Sequence, residues 1–173
     1  QLASWRGRAS YLRMSKIDRR AFLSGSALAA APGLALGAND PYAASPWRKL
    51  SDAEWRKRLD RATYNVLRKE ATELAGTSPL NKEKRRGTYV CAGCALPLFK
   101  SDWKFESGTG WPSFYTYIKG SLGKKTDHRI GVARTEYHCA RCLGHQGHVF
   151  PDGPRPTGLR YCNNGDALRF VTA

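Results

Sequence analysis

Five cysteines carry most of the chemistry this chain can offer, and they divide four to one. Cys91-Ala-Gly-Cys94 and Cys139-Ala-Arg-Cys142 repeat a single Cys-x-x-Cys spacing. Each pair can present two thiolates from one tight turn, and two such turns close a tetrahedral sulfur cage. Zinc favours four thiolates and has no redox chemistry. The spacing therefore predicts one structural Zn2+ with no position left for water, clamping one part of a sheet to another. Two disulfides, which an oxidising compartment would favour, and a redox-active Cys-x-x-Cys are the other chemistries this spacing allows.

Cys162 has no partner in that scheme. A lone cysteine is often a small buried hydrophobe. Here Arg160 lies two residues upstream, on the same face if the segment is a strand. A guanidinium beside a thiol favours the thiolate, which is the nucleophilic form. The stretch Gly144-His145-Gln146-Gly147-His148-Val149-Phe150-Pro151-Asp152-Gly153 adds two histidines among glycines that let backbone approach closely. With four thiolates satisfying the zinc, His145 and His148 are left as proton donors or as structural residues.

These side chains need elements to hold them. Ser51-Asp52-Ala53-Glu54 reads as a capping box, with Leu50 and Trp55 placed for a hydrophobic staple. That predicts a helix from Asp52 to about Leu59. A second helix is expected from Ala62 to about Glu73, with Tyr64, Leu67 and Ala71 on one face. Gly76 to Gly87 is polar, holds Pro79 and four basic residues (Lys82, Lys84, Arg85, Arg86), and reads as an exposed loop. Short strands follow over Thr88–Cys91, Pro97–Phe99, Phe114–Ile118, Arg129–Tyr137, His148–Phe150, Arg160–Asn163 and Leu168–Val171. Such strands, punctuated by Gly and Pro, predict a mainly β domain of antiparallel sheets flanked by the N-terminal helices.

Upstream, Arg19-Arg20 precede Phe22-Leu23 and an Ala/Leu/Gly run from Ser26 to Ala38. This is the layout of a twin-arginine export signal. A short buried helix is the other reading, and Pro32-Gly33 would break it. Met14 is the only methionine and stands just before the basic segment. Residues 1–13 therefore read as an extension, 14–38 as the leader and 39–173 as the folded domain, periplasmic or otherwise exported. No run approaches the ~18 apolar residues of a membrane span, so no stable insertion is expected after the leader is removed. The formal charge is +15, of which +10 is spread over residues 38–173. A basic surface of that kind can attract nucleic acid, anionic membrane or acidic protein, or simply be solvated.

Taken together, the motifs resemble the type B methionine sulfoxide reductases, the peptide-methionine (R)-S-oxide reductases. The resemblance runs from about Trp47 to Phe170. It rests on the two Cys-x-x-Cys pairs, Ser107-Gly108-Thr109-Gly110-Trp111-Pro112-Ser113-Phe114, the Gly-His-x-Gly-His-Val-Phe-Pro-Asp-Gly stretch and Gly158-Leu159-Arg160-Tyr161-Cys162-x-Asn164. The resemblance implies two antiparallel β-sheets with flanking helices and a structural zinc away from the active site. It implies Cys162 as nucleophile, Trp111 as the ring packing the substrate methyl, and His145, His148, Asp152, Arg160 and Asn164 as the polar set. By this resemblance the thiolate attacks the sulfoxide sulfur while His148 protonates its oxygen, and Asp152 holds the histidine or orders a water.

The chain departs from that pattern at two positions. Thr109 stands where many members carry a resolving cysteine, and every other cysteine is committed to zinc. The Cys162 sulfenic acid is therefore expected to be reduced by an external thiol, either a thioredoxin-like protein or a small thiol. Gln146 stands where leucine is usual. Two other classes compete. A basic zinc-ribbon module for nucleic acid fits the knuckles and charge, but leaves Arg160-x-Cys162-x-Asn164 without a role, so no nucleic-acid partner is expected. A cysteine hydrolase needs an oxyanion hole that the sequence does not advertise.

Overall fold

The helical entry is written locally. Ser51 Oγ accepts from the Glu54 N–H and the Glu54 carboxylate accepts from the Ser51 N–H, so the capping box closes as expected. The computed structural model describes residues 40–173. The extension and leader expected over residues 1–38 lie outside the described residues. Helix α1 (Asp52–Arg58) buries Trp55, which stacks on Trp47 with ring centroids 5.9 Å apart. Helix α2 (Arg61–Lys69) is capped by Asp60 and buries Tyr64, Val66 and Leu67. Among the described residues, no helix is long and apolar enough to cross a membrane.

Helix α2 stops four residues before the predicted end. Glu70 turns left-handed at φ 55°, and the Ala71 N–H folds back onto the Asn65 carbonyl at 3.1 Å. Residues 71–74 then run as an irregular strap into a turn at 75–76. The stretch expected as a plain loop over 76–87 also contains a short 3-10 turn, Pro79–Lys82, opened by Ser78.

Among the described residues nine strands build two sheets, all pairings antiparallel: β1 (Gly87–Cys91), β2 (Pro97–Lys100), β3 (Lys104–Phe105), β4 (Ser113–Phe114), β5 (Leu122–Asp127), β6 (Arg134–Cys139), β7 (His145–Phe150), β8 (Arg160–Asn163) and β9 (Leu168–Thr172). The smaller sheet runs β2-β1-β9 and the larger β3-β4-β8-β7-β6-β5. The predicted strand over Phe114–Ile118 shrinks to β4. Beyond it the chain bonds elsewhere: the Tyr115 N–H reaches Trp103 and the Ile118 N–H reaches Leu98 in the other sheet. The predicted Arg129–Tyr137 strand begins only at Arg134, because a turn with Gly131 at φ 78° precedes it. Strand β5, unread in the sequence, is Leu-Gly-Lys-Lys-Thr-Asp, an edge strand with no apolar alternation.

Aromatic rings fill the space between the sheets. Phe99 and Phe114 stack at 4.2 Å, with Tyr89 and Tyr137 set edge-on around them. All four are fully buried. Strand period does the rest. On β8, Asn163 points into this core, where its Oδ1 accepts from the Tyr137 hydroxyl at 2.8 Å. Arg160 and Cys162 take the opposite face.

Candidate active site and metal centre

The two cysteine turns are built identically. In the first, the Ala95 N–H bonds Cys91 O and the Cys91 N–H bonds Leu96 O. In the second, the Leu143 N–H bonds Cys139 O and the Cys139 N–H bonds Gly144 O. The residue after each second cysteine is left-handed, Ala95 at φ 58° and Leu143 at φ 60°. One turn joins β1 to β2 and the other joins β6 to β7, so the pair fastens one sheet to the other.

All four sulfurs are buried and lie within 4.8 Å of one another, a set able to hold a metal ion. The closest approaches cross between turns, Cys91 to Cys142 at 3.6 Å and Cys94 to Cys139 at 3.5 Å. A disulfide needs about 2.0 Å, and all four cysteines are free thiols here. A tetrahedron with metal–sulfur arms of about 2.3 Å has edges near 3.8 Å, which these approaches fit.

The fifth cysteine opens into a cavity of about 240 Å³, with Trp111, His148, Phe150 and Asn164 in its wall. The register places His148 directly opposite Cys162, Phe150 opposite Arg160, and Ser113 opposite Cys162 on the other side. Gly147 permits this approach, since a Cβ there would sit 1.9 Å from Cys162 O. Burial raises the Cys162 thiol above its ordinary value, while Arg160 and a hydrogen bond from Thr109 pull it back. Thr109 is itself held by Ser107, which also bonds Ser113, each at 2.8 Å.

The strap after α2 supports the opposite wall. Thr72 lines the cavity. Glu73 accepts from the Trp111 indole N–H at 3.2 Å and donates its own N–H to Asn164 Oδ1 at 3.0 Å. Its carboxylate caps the Gly165 and Asp166 N–H groups. One residue thus ties Trp111 to the end of β8.

Of the residues expected at the site, Cys162, His148, Trp111 and Asn164 meet at the cavity. Arg160 lies beside it, stacked 4.4 Å over Phe150. His145 does not line the cavity. It is buried behind, with Nδ1 3.1 Å from Glu136 and its ring 5.5 Å from that of His148. Asp152 requires a correction: it neither holds a histidine nor enters the cavity. The strand ends at Phe150, and Asp152 turns to grip Arg160 with two bonds of 2.9 and 2.8 Å. The carboxylate on His148 is instead Asp127, with Oδ2 2.7 Å from Nε2. Arg134, in the cavity wall, holds the same oxygen at 2.6 Å. The Arg129 N–H, His148 and Arg134 keep Asp127 far below the usual carboxylate range. Burial lowers the His148 pKa below the ordinary imidazole value, with Asp127 opposing. Asp127 and Arg134 were not found from sequence because both depend on the β5–β6 register.

The fold and the site are those of a SelR-domain protein: the family model of that description matches residues 59–172. Peptide methionine sulfoxide reductase MsrB of Leptospira interrogans is 54% identical over 121 residues, covering 69% of this chain and 92% of that protein. The protein of the same name from Pseudomonas putida is 55% identical over 118 residues, covering 68% and 89%. That from Agrobacterium fabrum is 49% identical over 127 residues, covering 73% and 94%. The chain belongs to the type B methionine sulfoxide reductase family.

Proposed function

We propose that this protein reduces the R-epimer of methionine sulfoxide, in proteins or peptides, to methionine. The observation that carries the reading is the cross-strand pairing of Cys162 with His148 in one cavity with Trp111. Kinship with the reductases named above supports the substrate. The Trp111 ring suits a methyl group, and its indole N–H is already spent on Glu73.

The protons balance within the site. A neutral imidazole donates Nε2–H to the Asp127 carboxylate and keeps Nδ1 free as a base. Cys162 passes its proton to His148, and the thiolate, steadied by Arg160 and Thr109, attacks the sulfoxide sulfur. The imidazolium returns that proton to the sulfoxide oxygen, so the oxygen never departs as a highly charged species. The hydroxyl then passes from the substrate sulfur to Cys162 Sγ as both the S–O bond and the newly formed S–S bond break, so methionine leaves with its sulfur reduced by two electrons and Cys162, oxidised by two, becomes a sulfenic acid. With Thr109 beside it and the other four thiols in the cage, an external thiol attacks the sulfenic acid and releases water. A second thiol reduces the mixed disulfide. Oxidised proteins or peptides and a thioredoxin-like or low-molecular-weight thiol are thus the partners.

We assign Zn2+ to Cys91, Cys94, Cys139 and Cys142, where it supplies rigidity and takes no part in the reaction. One experiment tests the sequence of steps. Wild-type protein given one equivalent of methionine-R-sulfoxide without reductant is treated with a sulfenic-acid trap. The label is expected on Cys162. Label on a cage cysteine, or an internal disulfide, contradicts the scheme.

A further inference from the structure

Gln146 is fully buried on β7 and takes no part in the scheme above. Its side-chain Nε2 lies 3.5 Å from Cys91 Sγ and 3.5 Å from Gly144 O. An amide nitrogen carries two hydrogens, and here each has one acceptor. Its Oε1 has no partner. The amide is therefore held by its donors alone, and one of them faces sulfur.

The chemistry of the cage explains why a donor belongs there. Four thiolates around a divalent cation carry a net charge of −2, and all four sulfurs are buried. Buried charge is costly unless hydrogen-bonded. From outside, guanidinium groups meet backbone carbonyls of the turns: Arg68 at Cys142 O and Arg141 at Cys94 O, each 3.0 Å. Cys91 is 0% exposed and faces inward, where solvent cannot serve it. Gln146 supplies an N–H at that point. A leucine at this position would have no hydrogen to give. The same residue's backbone carbonyl accepts from the Asn164 N–H at 2.9 Å and from Asn164 Nδ2 at 3.0 Å. Gln146 thus stands between the cage and the cavity wall.

We infer that Gln146 is an inner hydrogen-bond donor to the metal–thiolate cage, withdrawing charge from the Cys91 sulfur and slowing metal loss. The inference rests on the reading of the cage as a zinc centre. Partners that hydrogen-bond ligating groups typically change metal affinity about 10–100-fold when removed. An N–H on a thiolate also lowers the energy of the sulfur lone pairs, so its removal brings sulfur-to-metal charge transfer to longer wavelength.

The test compares wild type with Gln146→Met, which keeps the length of the side chain without a donor, and with Gln146→Leu. Zinc transfer to a chromophoric chelator is timed on the zinc-loaded proteins. The charge-transfer band is recorded on the cobalt-substituted forms, and thermal unfolding is followed in parallel. Both variants are expected to bind one metal and unfold cooperatively. Zinc transfer should be about 10-fold faster or more, and the cobalt band should move to longer wavelength. If transfer rate and band position match wild type in both variants, the inference is overturned and the zinc reading stands. If wild type itself holds no metal, the zinc reading fails and takes this inference with it.

Discussion

The molecule keeps its thiols in two settings. In the cage, four sulfurs face one another from two identical turns, buried, with arginines on the surrounding carbonyls. In the cavity, one sulfur sits on a strand beside a guanidinium and a hydroxyl, with a histidine across the ladder. The group is the same and its neighbours decide its work. Four buried sulfurs within 4.8 Å of one another form a set able to hold a cation. An isolated thiol next to Arg160 and His148 can shed its proton to a base, which is the role proposed for Cys162. The two settings are also built on different supports. The cage joins the two sheets, whereas the cavity lies on the large sheet and the strap after α2.

If this division is sound, each setting can be broken without the other. The largest effect on the fold comes from Cys91→Ser. It should lose the metal and destabilise the domain by more than about 4 kcal/mol, because metal loss is among the few single changes of that size. Metal content and calorimetry check it. Full stability without metal would make the cage dispensable. In the cavity, Trp111→Ala should raise KM about 10-fold, with kcat less affected, since a ring packed on a methyl contributes binding more than chemistry. Steady-state kinetics decide it, and an unchanged KM removes Trp111 from substrate binding.

The smallest effect sharpens the account of His148. Burial lowers its pKa and the hydrogen bond to Asp127 raises it. The imidazole should therefore titrate below the ordinary value of about 6.5. Removing the raising contribution in Asp127→Asn should move it lower still. The imidazole is thus neutral over most of the working range, which is the state the scheme needs for taking the Cys162 proton. Histidine NMR across a pH series measures both shifts, and an upward shift in Asp127→Asn contradicts the sign.

Legibility in the sequence followed the range of the interaction. The capping box of α1 and the two cysteine turns are local, and their spacing is their geometry, so both could be read directly. The relation of Arg160 to Cys162 followed from strand period alone. Asp127 was invisible because it acts across the β5–β6 hairpin, and β5 carries no apolar alternation to announce itself. The partner of Asp152 is not legible in the sequence for a related reason. Asp152 lies close to His148 along the chain, but the strand ends between them, and the register that sets Phe150 opposite Arg160 delivers Asp152 to the guanidinium. The strap through Thr72 and Glu73 continues a helical pattern in the sequence, and the left-handed turn at Glu70 ends the helix before it.

In the proposed scheme Cys162 is the one thiol that reacts with the substrate, and it reacts with one epimer. The direct test is turnover of the R- and S-epimers of a methionine sulfoxide substrate with dithiothreitol, on wild type and on Cys162→Ser. Wild type is expected to consume the R-epimer only. Cys162→Ser should lose at least ~10³-fold in rate while keeping its metal and its unfolding temperature. Turnover of the S-epimer by wild type, or substantial activity in Cys162→Ser, would contradict the account.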